Sequence, residues 1–480
     1  MNFMVIKNYI YNIIYQLITV ILPIITIPYV SRILGADGLG EYALTSTYAQ
    51  YFLLIGMLGL TIYSSREIAY VREDEEKLEQ TFWELNFLRF LTVGISLLVY
   101  IILFFFILNI NNKKIYLIQT LIILNGFIDI SWLFIGLEDF KKVAIRNTAV
   151  KLIGVVLIFL LIKNENQVCL YSLILGGTQF LGQLIMWFEI PSKIKFSYPN
   201  KSNIKKHLRF SIKLFIPQIA ITVYTMLDKV MLGVMTNDIQ VAFYDNSQRI
   251  IRIVVVFVTT LAFVTIPKMS NLYSQKKYNE FEKNIYKSFS FVSFLAFPMS
   301  FGLIAITNKF VPWFFGKAFT EMIPVFYAGS LLIITLGWSS ILGNQVLISI
   351  KREKQFTICV TCSAALNIVL NLLLINIYKS LGTMIASILA EYVGMFLMVY
   401  FLKDIIKFNL LFKDTLKYII LSTIMSIIVY FIGEMLNASI ITTFIQIILG
   451  LIIYIISLFF IKDKNLYIGM NFIKDKIKNK

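Results

Sequence analysis

A single histidine and three cysteines among 480 residues leave few side chains for metal-centred or thiol chemistry. Cys169, Cys359 and Cys362 make no disulfide framework. Cys359 and Cys362 form a C-x-x-C, but inside an apolar run with no flanking histidine or turn, where helix packing outweighs redox or metal binding. The histidine, His207, falls in a lysine-rich connector and is expected to be a solvated residue. No G-x-x-x-x-G-K-[ST] occurs, so the P-loop route to nucleotide energy is excluded. Long polar connectors are also missing. The longest, 191–209, 268–287 and 309–323, give no scaffold for a soluble catalytic domain, which argues against an enzyme such as a membrane polymerase or glycosyltransferase. Acidic residues are scarce, 27 against 44 Lys and Arg, for a formal charge of +17.

What remains is apolar. Hydrophobic residues make up 58% and charged residues 15%, with mean hydropathy +0.78, far from the balance of soluble domains. The chain therefore reads as an integral, all-α, multi-pass membrane protein. About fourteen apolar runs reach the ~20 residues that cross ~30 Å of hydrocarbon, the first at 8–30 and the last at 442–461. The cations form no nucleic-acid stripe; they sit in short connectors. With the N-terminus in the cytoplasm, 31 of the 44 Lys and Arg fall on the inner side, seven on the outer side and six within spans. That asymmetry predicts cytoplasmic N- and C-termini and an even number of crossings. The basic inner connectors are expected to lie against anionic lipid headgroups. The first run continues to Val30 with no small-residue cleavage site, so it is read as a retained helix.

The stretch from Pro217 to Arg252 stands out, because Asp228, Lys229, Arg249 and Arg252 lie inside or beside apolar sequence. A central charge costs roughly 2.5–3.5 kcal/mol even on a forgiving insertion scale, so such charges need a cavity, a partner or a task. A weak internal echo links this stretch to the N-terminal part. Arg32-Ile-Leu-Gly35 leading to Tyr42 parallels Lys229-Val-Met-Leu-Gly233 leading to Tyr244, with Pro23 and Pro28 against Pro217. The echo suggests an N-terminal lobe at 1–190, a basic cytoplasmic linker at 191–209, a second lobe at 210–402, and two further helices with a basic tail at 403–480.

Longer motifs carry a family resemblance. Pro28-Tyr-Val-Ser-Arg-Ile-Leu-Gly35 with Gly38, Gly40 and Tyr42, then Ser65-Arg-Glu-Ile-Ala69, Asp129-Ile-Ser-Trp132, Gly136-Leu-Glu138, Lys151, Leu227-Asp-Lys229 and Leu232-Gly233 follow in order. Pro267, Pro298, Gly302, Asn367, Asn371, Gly382 and Glu391 continue the pattern. The chain resembles the Wzx-type oligosaccharide flippases of the multidrug, oligosaccharidyl-lipid and polysaccharide exporter superfamily. The resemblance implies two six-helix lobes facing one another in a V, plus two C-terminal helices often assigned a lipid-tail groove. It also implies alternating access in the bacterial cytoplasmic membrane, moving an undecaprenyl-pyrophosphate-linked oligosaccharide repeat from inner to outer leaflet for capsule or other surface polysaccharide. A monomeric transport unit, polymerase and assembly partners, no cofactor, and coupling to a proton or sodium gradient belong to the same expectation.

For such an anion the cations become candidate substrate contacts. Arg249 and Arg252, three residues apart, share a helix face, and Lys229 sits near the outer end of the preceding helix, with Asp228 as a neutralising carboxylate. An outer-interface, snorkelling position is the competing reading for this cluster. Arg32 and Lys151 are candidates from the first half; Lys151 matches the family pattern alongside Trp132 and Glu138, while Arg89 reads equally as an interfacial, snorkelling cation. Asp129 and Glu391, inside spans four and twelve, are candidates for charge pairing or ion coupling. Asn367 and Asn371 read more as interhelical hydrogen bonds than as sugar contacts. A gradient-driven drug or cation antiporter of the same superfamily is the alternative; the excess of cations over acids within the spans argues against it. Glu391→Gln is expected to lower transport and its dependence on a proton or sodium gradient, measured in proteoliposomes; unchanged gradient dependence removes Glu391 as a coupling site.

Overall fold

The computed structural model describes residues 3–108, 110 and 112–468, with side chains from Ile18 onward except 20, 216–225, 261 and 263. The side chains of Lys7 and Pro217 and the basic tail from 469 fall outside the described residues. Uninterrupted runs of Ile, Leu and Phe, with no water to satisfy their backbones, have one local solution, the helix. The described residues accordingly form helices and no strands. In chain order these are α1 (Phe3–Met57), α2 (Leu60–Val71), α3 (Glu75–Ile101), α4 (Lys113–Phe127), α5 (Ser131–Gly136), α6 (Phe140–Leu161), α7 (Val168–Phe188) and α8 (Lys201–Met235). There follow α9 (Asp238–Ser274), α10 (Tyr278–Phe314), α11 (Ile323–Ser330), α12 (Leu332–Ser339), α13 (Glu353–Phe401), α14 (Phe408–Leu411), α15 (Thr415–Glu434) and α16 (Ile440–Phe460). Eleven helical stretches among the described residues are long and apolar enough to cross a membrane. Non-helical backbone interrupts α1 at Gly35 (φ 69°) and α13 at Lys379 (φ 51°). The breaks fall between the apolar runs 8–30 and 39–61, and between 355–375 and 380–402.

Caps fix where several helices begin. Asp74 accepts from Lys77 N at 3.1 Å to open α3, Asn200 from Ser202 N at 2.9 Å to open α8, and Ser439 from Thr442 N at 3.1 Å to open α16. Residues divide by contact into two compact units, 1–242 and 243–480. In the first, α1 packs on α3, α4, α6 and α8, and α4 on α7. Its core stacks Phe82 on Trp132 at 5.7 Å, with Leu78, Leu85 and Phe134 around them. Helix α8 belongs with this unit, since Ser211 Oγ donates to Leu58 O at 2.5 Å beneath the left-handed Gly59. In the second unit α10 packs on α12, α15 and α16, and Trp338 of α12 stacks on Phe289 of α10 at 5.2 Å and donates to Ser293 Oγ at 2.9 Å. The Arg352 guanidinium forks onto Asp404, Nη1 to Oδ1 at 2.9 Å, and this bond holds the Asp404 carboxyl below the usual carboxylate range.

The connector before α8 is fixed to its neighbours by hydrogen bonds. Its backbone is strapped to α3: Lys195 N donates to Glu79 at 3.0 Å, Trp83 Nε1 donates to Lys195 O at 2.7 Å, and Lys193 lies 3.9 Å from Glu75. His207 is not solvated. It is 7% exposed, its Nδ1 2.8 Å from the Tyr63 hydroxyl and its Nε2 3.2 Å from Glu84. Glu84 also accepts from Asn200 N at 3.2 Å and Asn203 Nδ2 at 2.9 Å. The acids of α3 supply what a row of neighbouring lysines hid. His207→Ala, by leaving a buried hydroxyl and carboxylate each one partner short, is expected to cost about 1–3 kcal/mol and to lower the melting temperature in detergent. A solvated histidine would leave that temperature unchanged.

Candidate functional site

The charges that the sequence singles out fall into both units, and each unit handles its own differently. In the first unit Asp129 does not sit within a helix; residues 128–130 break the run between α4 and α5. The carboxylate caps its own turn, Oδ1 accepting from Ser131 N at 2.9 Å, while Trp132 Nε1 donates to Asp129 O at 2.8 Å. A side chain able to satisfy nearby backbone competes with helix continuation, the reason this span is interrupted. Arg89 reaches the same turn. It is fully buried, its guanidinium carbon 4.8 Å from the centre of the Trp132 ring, with Asp129 as the nearby opposite charge. Burial rules out the snorkelling to water that Arg89's place in the sequence allowed. Arg146 donates from Nη2 to Ser131 Oγ at 2.6 Å, so two arginines flank the Asp129–Trp132 turn.

The cation against Trp132 is thus Arg89, and the one against Glu138 is Arg72, at 2.7 Å. Lys151, which the sequence pattern groups with those residues, donates from Nζ to Thr19 Oγ1 of α1 at 2.7 Å. Arg32, just before the Gly35 break, is exposed. Asp228 is buried on α8, with Tyr51 of α1 in its electrostatic neighbourhood, and Lys229 beside it is half-buried. The two echoing segments meet closely here. A Cβ on Gly40 would lie 1.8 Å from the Asp238 carbonyl oxygen, and one on Gly233 would lie 2.6 Å from Leu44 Cδ1.

In the second unit Arg249 and Arg252 both lie on α9, the former half-buried and the latter exposed. Arg249 Nε donates to Asp245 Oδ2 at 2.8 Å, one turn earlier, and the Asp245 side chain is 5% exposed. Asp245 is a partner the sequence reading missed, although its i, i+4 spacing from Arg249 was there to find it. Next to this pair a buried polar chain runs through the unit. Asn371 Nδ2 donates to Asn367 Oδ1 at 3.1 Å and Asn367 Nδ2 to Ser387 Oγ at 3.4 Å. Ser387 Oγ lies 3.2 Å from the Tyr244 hydroxyl, which accepts from Gln248 Nε2 at 3.2 Å. The asparagines therefore bond within the protein, across the Lys379 break of α13. Glu391, later on α13, is half-buried. An apolar groove of about 480 Å³ opens between α9, α10, α15 and α16, lined by residues such as Phe257, Phe294, Pro298, Gly302, Gly450 and Tyr454.

These features can be set beside known proteins. The family described as polysaccharide biosynthesis protein matches residues 5–273. The chain belongs to that family. As a member of it, the chain is 20% identical over 405 residues to the "Putative O-antigen transporter" of Escherichia coli (strain K12), covering 83% of this chain and 96% of that protein. Its fold is similar to that of a lipid II flippase, MurJ, in an inward closed conformation. The TM-score is 0.76 at 17% identity, over 94% of this chain and 99% of the other. It is also similar to an inward-facing multidrug resistance MATE transporter of the MOP superfamily, with TM-score 0.62 at 12% identity, over 80% of this chain and 95% of the other. These relatives bear the names of transporters and flippases rather than of enzymes.

The close seam at Gly40 is directly testable. Gly40→Ala forces backbone apart and is expected to cost about 1–3 kcal/mol, as overpacking does. Gly177→Ala on α7, whose added methyl meets nothing within 4 Å, is expected to be neutral or mildly stabilising in the same thermal melt.

Proposed function

We propose that this protein is a flippase for a lipid-linked glycan. In this reading it moves an undecaprenyl-pyrophosphate-linked oligosaccharide repeat from the inner to the outer leaflet of the bacterial cytoplasmic membrane, by alternating access. Capsule or other surface polysaccharide would be the product, with a polymerase removing the flipped repeat on the far side. The observation that carries the reading is the Asp245–Arg249 pair at the head of the apolar run of α9. With its side chain 40% exposed, the Arg249 guanidinium stays open to an incoming anion and takes a counter-charge in its absence. Asp245 supplies that counter-charge when no substrate is bound. An arriving pyrophosphate replaces the carboxylate with two phosphates that accept the same planar fork of donors, a bidentate geometry suited to arginine.

Arg252, one turn further and exposed, adds a second positive charge on the same helix. Arg32, Lys151 and Lys229 are further proposed contacts, with Asp129, Asp228 and Glu391 as charge-pairing or coupling groups. The polyprenyl chain has a matching environment in the α9–α10–α15–α16 groove, whose lining is almost entirely hydrocarbon. A long apolar tail loses nothing there on leaving the bilayer, so the polar end alone must carry discrimination. Energy comes from a proton or sodium gradient or from polymerisation, as no P-loop sequence occurs.

Arg249→Ala and Arg252→Ala are each expected to abolish surface polysaccharide at unchanged protein level, read by polysaccharide staining beside an immunoblot. Normal polysaccharide in both variants would overturn the anion-binding role. Deletion of the protein is expected to leave undecaprenyl-linked repeats in the cytoplasmic leaflet. Absence of any lipid-linked intermediate, with heightened drug sensitivity, would instead favour a gradient-driven drug antiporter.

A further inference from the structure

We propose that the groove between α6 and α7 in the first unit binds an anionic phospholipid, at a place separate from the transported glycan. The groove has a volume of about 670 Å³ and two chemically distinct zones. One end is charged, with Lys141, Lys142 and Arg146 beside Asp139 and Glu189. The rest is hydrocarbon from facing helices, chiefly Ile145, Ala149, Ile153 and Leu157 of α6 against Leu181 and Ile185 of α7.

The zones have the dimensions of a lipid. From Arg146 to Leu157 the helix rises about 16 Å at 1.5 Å per residue, close to half of a ~30 Å hydrocarbon core. The site thus spans one leaflet, with the charged end at the start of α6 and the end of α7. The distribution of cations assigns that end to the cytoplasmic face. Both walls expose their apolar residues: Ile153 is 54% exposed and Leu181 60%.

The charged end is constructed rather than loose. Lys142 is held by acids, 3.9 Å from Asp139 and 3.5 Å from Glu189, and lies over the Phe134 ring at 5.2 Å. Arg146 is oriented by its bond to Ser131. Its stem crosses α7 at Gly182, where a Cβ would lie 3.1 Å from Arg146 Cδ and 2.3 Å from Val150 Cγ2. Glycine at 182 is therefore what lets the arginine lie flat in the groove. Lys141 is exposed at the rim. Three cations against two carboxylates leave one net positive charge, which complements the single negative charge of a phosphodiester. A lipid pyrophosphate, with at least two, is matched less well. Phosphate between Lys141 and Arg146, with an acyl chain along Ala149 and Leu181, satisfies both zones at once.

The experiment is native mass spectrometry of the full chain, purified in mild detergent and exposed to equal amounts of phosphatidylglycerol and phosphatidylcholine. The wild type is expected to retain phosphatidylglycerol preferentially. Lys141→Gln is expected to reduce that preference about fivefold, the factor one interfacial cation contributes, and Lys141→Gln with Arg146→Gln to abolish it. Ala149→Trp and, from the opposite wall, Leu181→Trp fill the groove without changing charge, and each is expected to remove bound lipid of both kinds. Equal retention of the two lipids by the wild type, or wild-type retention in either tryptophan variant, would overturn the proposal. So would displacement of phosphatidylglycerol by a polyprenyl pyrophosphate, which would make the groove part of the transport path. Persistence of phosphatidylglycerol against that competitor supports a separate site.

Discussion

Every charge placed in hydrocarbon must be answered by the protein, since the bilayer core offers neither water nor counter-ions. This constraint runs through the structure in four forms. Arg89 is answered by an aromatic face and the charge of Asp129, Lys151 by a hydroxyl, Glu84 by a histidine and two asparagines, and Arg249 by an aspartate on its own helix. The answers are not equivalent. A carboxylate one turn away can be exchanged for another anion with little rearrangement, whereas an indole ring and a capped turn cannot. Exchangeability, rather than charge alone, separates Arg249 from Arg89 and is the ground for proposing Arg249 as an anion contact.

Much of the fold was legible in the sequence because the governing physics is local. A run of about 20 apolar residues specifies a helix in lipid without reference to the rest of the chain, and the breaks at Gly35 and Lys379 fall where apolar runs 8–30 and 355–375 give way to the next. The charges were harder to read. His207 sits among lysines, and nothing nearby reveals that Glu84, 123 residues earlier, waits for it. Arg89 looked interfacial by depth because depth along a helix says nothing about which neighbour covers the side chain; Trp132, contributed by another helix, decides it. Asp129 was read as lying within a span, yet its carboxylate ends the helix it was counted in. Asp245 stands four residues before Arg249, a spacing that the sequence itself displays.

Small residues govern closeness in this molecule as charges govern position. Gly40 and Gly233 carry the seam between α1 and the α8–α9 turn, the two segments whose sequences echo one another. Without a hydrophobic force to draw helices together inside lipid, contact depends on how nearly backbones can approach. The repeat hinted at in the sequence is thus expressed as two segments that fit each other.

The hydrogen-bonded chain from Asn371 through Asn367, Ser387 and Tyr244 to Gln248 carries a mechanical consequence. In water such a chain could stretch, with solvent filling each gap as it opened. In hydrocarbon no substitute is on hand, so its members must let go and re-engage together. The two halves of α13 and the start of α9 are consequently indexed to one another, like teeth on a shared gear. Loosening one member leaves its neighbour short of a partner, so the chain stiffens this bundle as a unit.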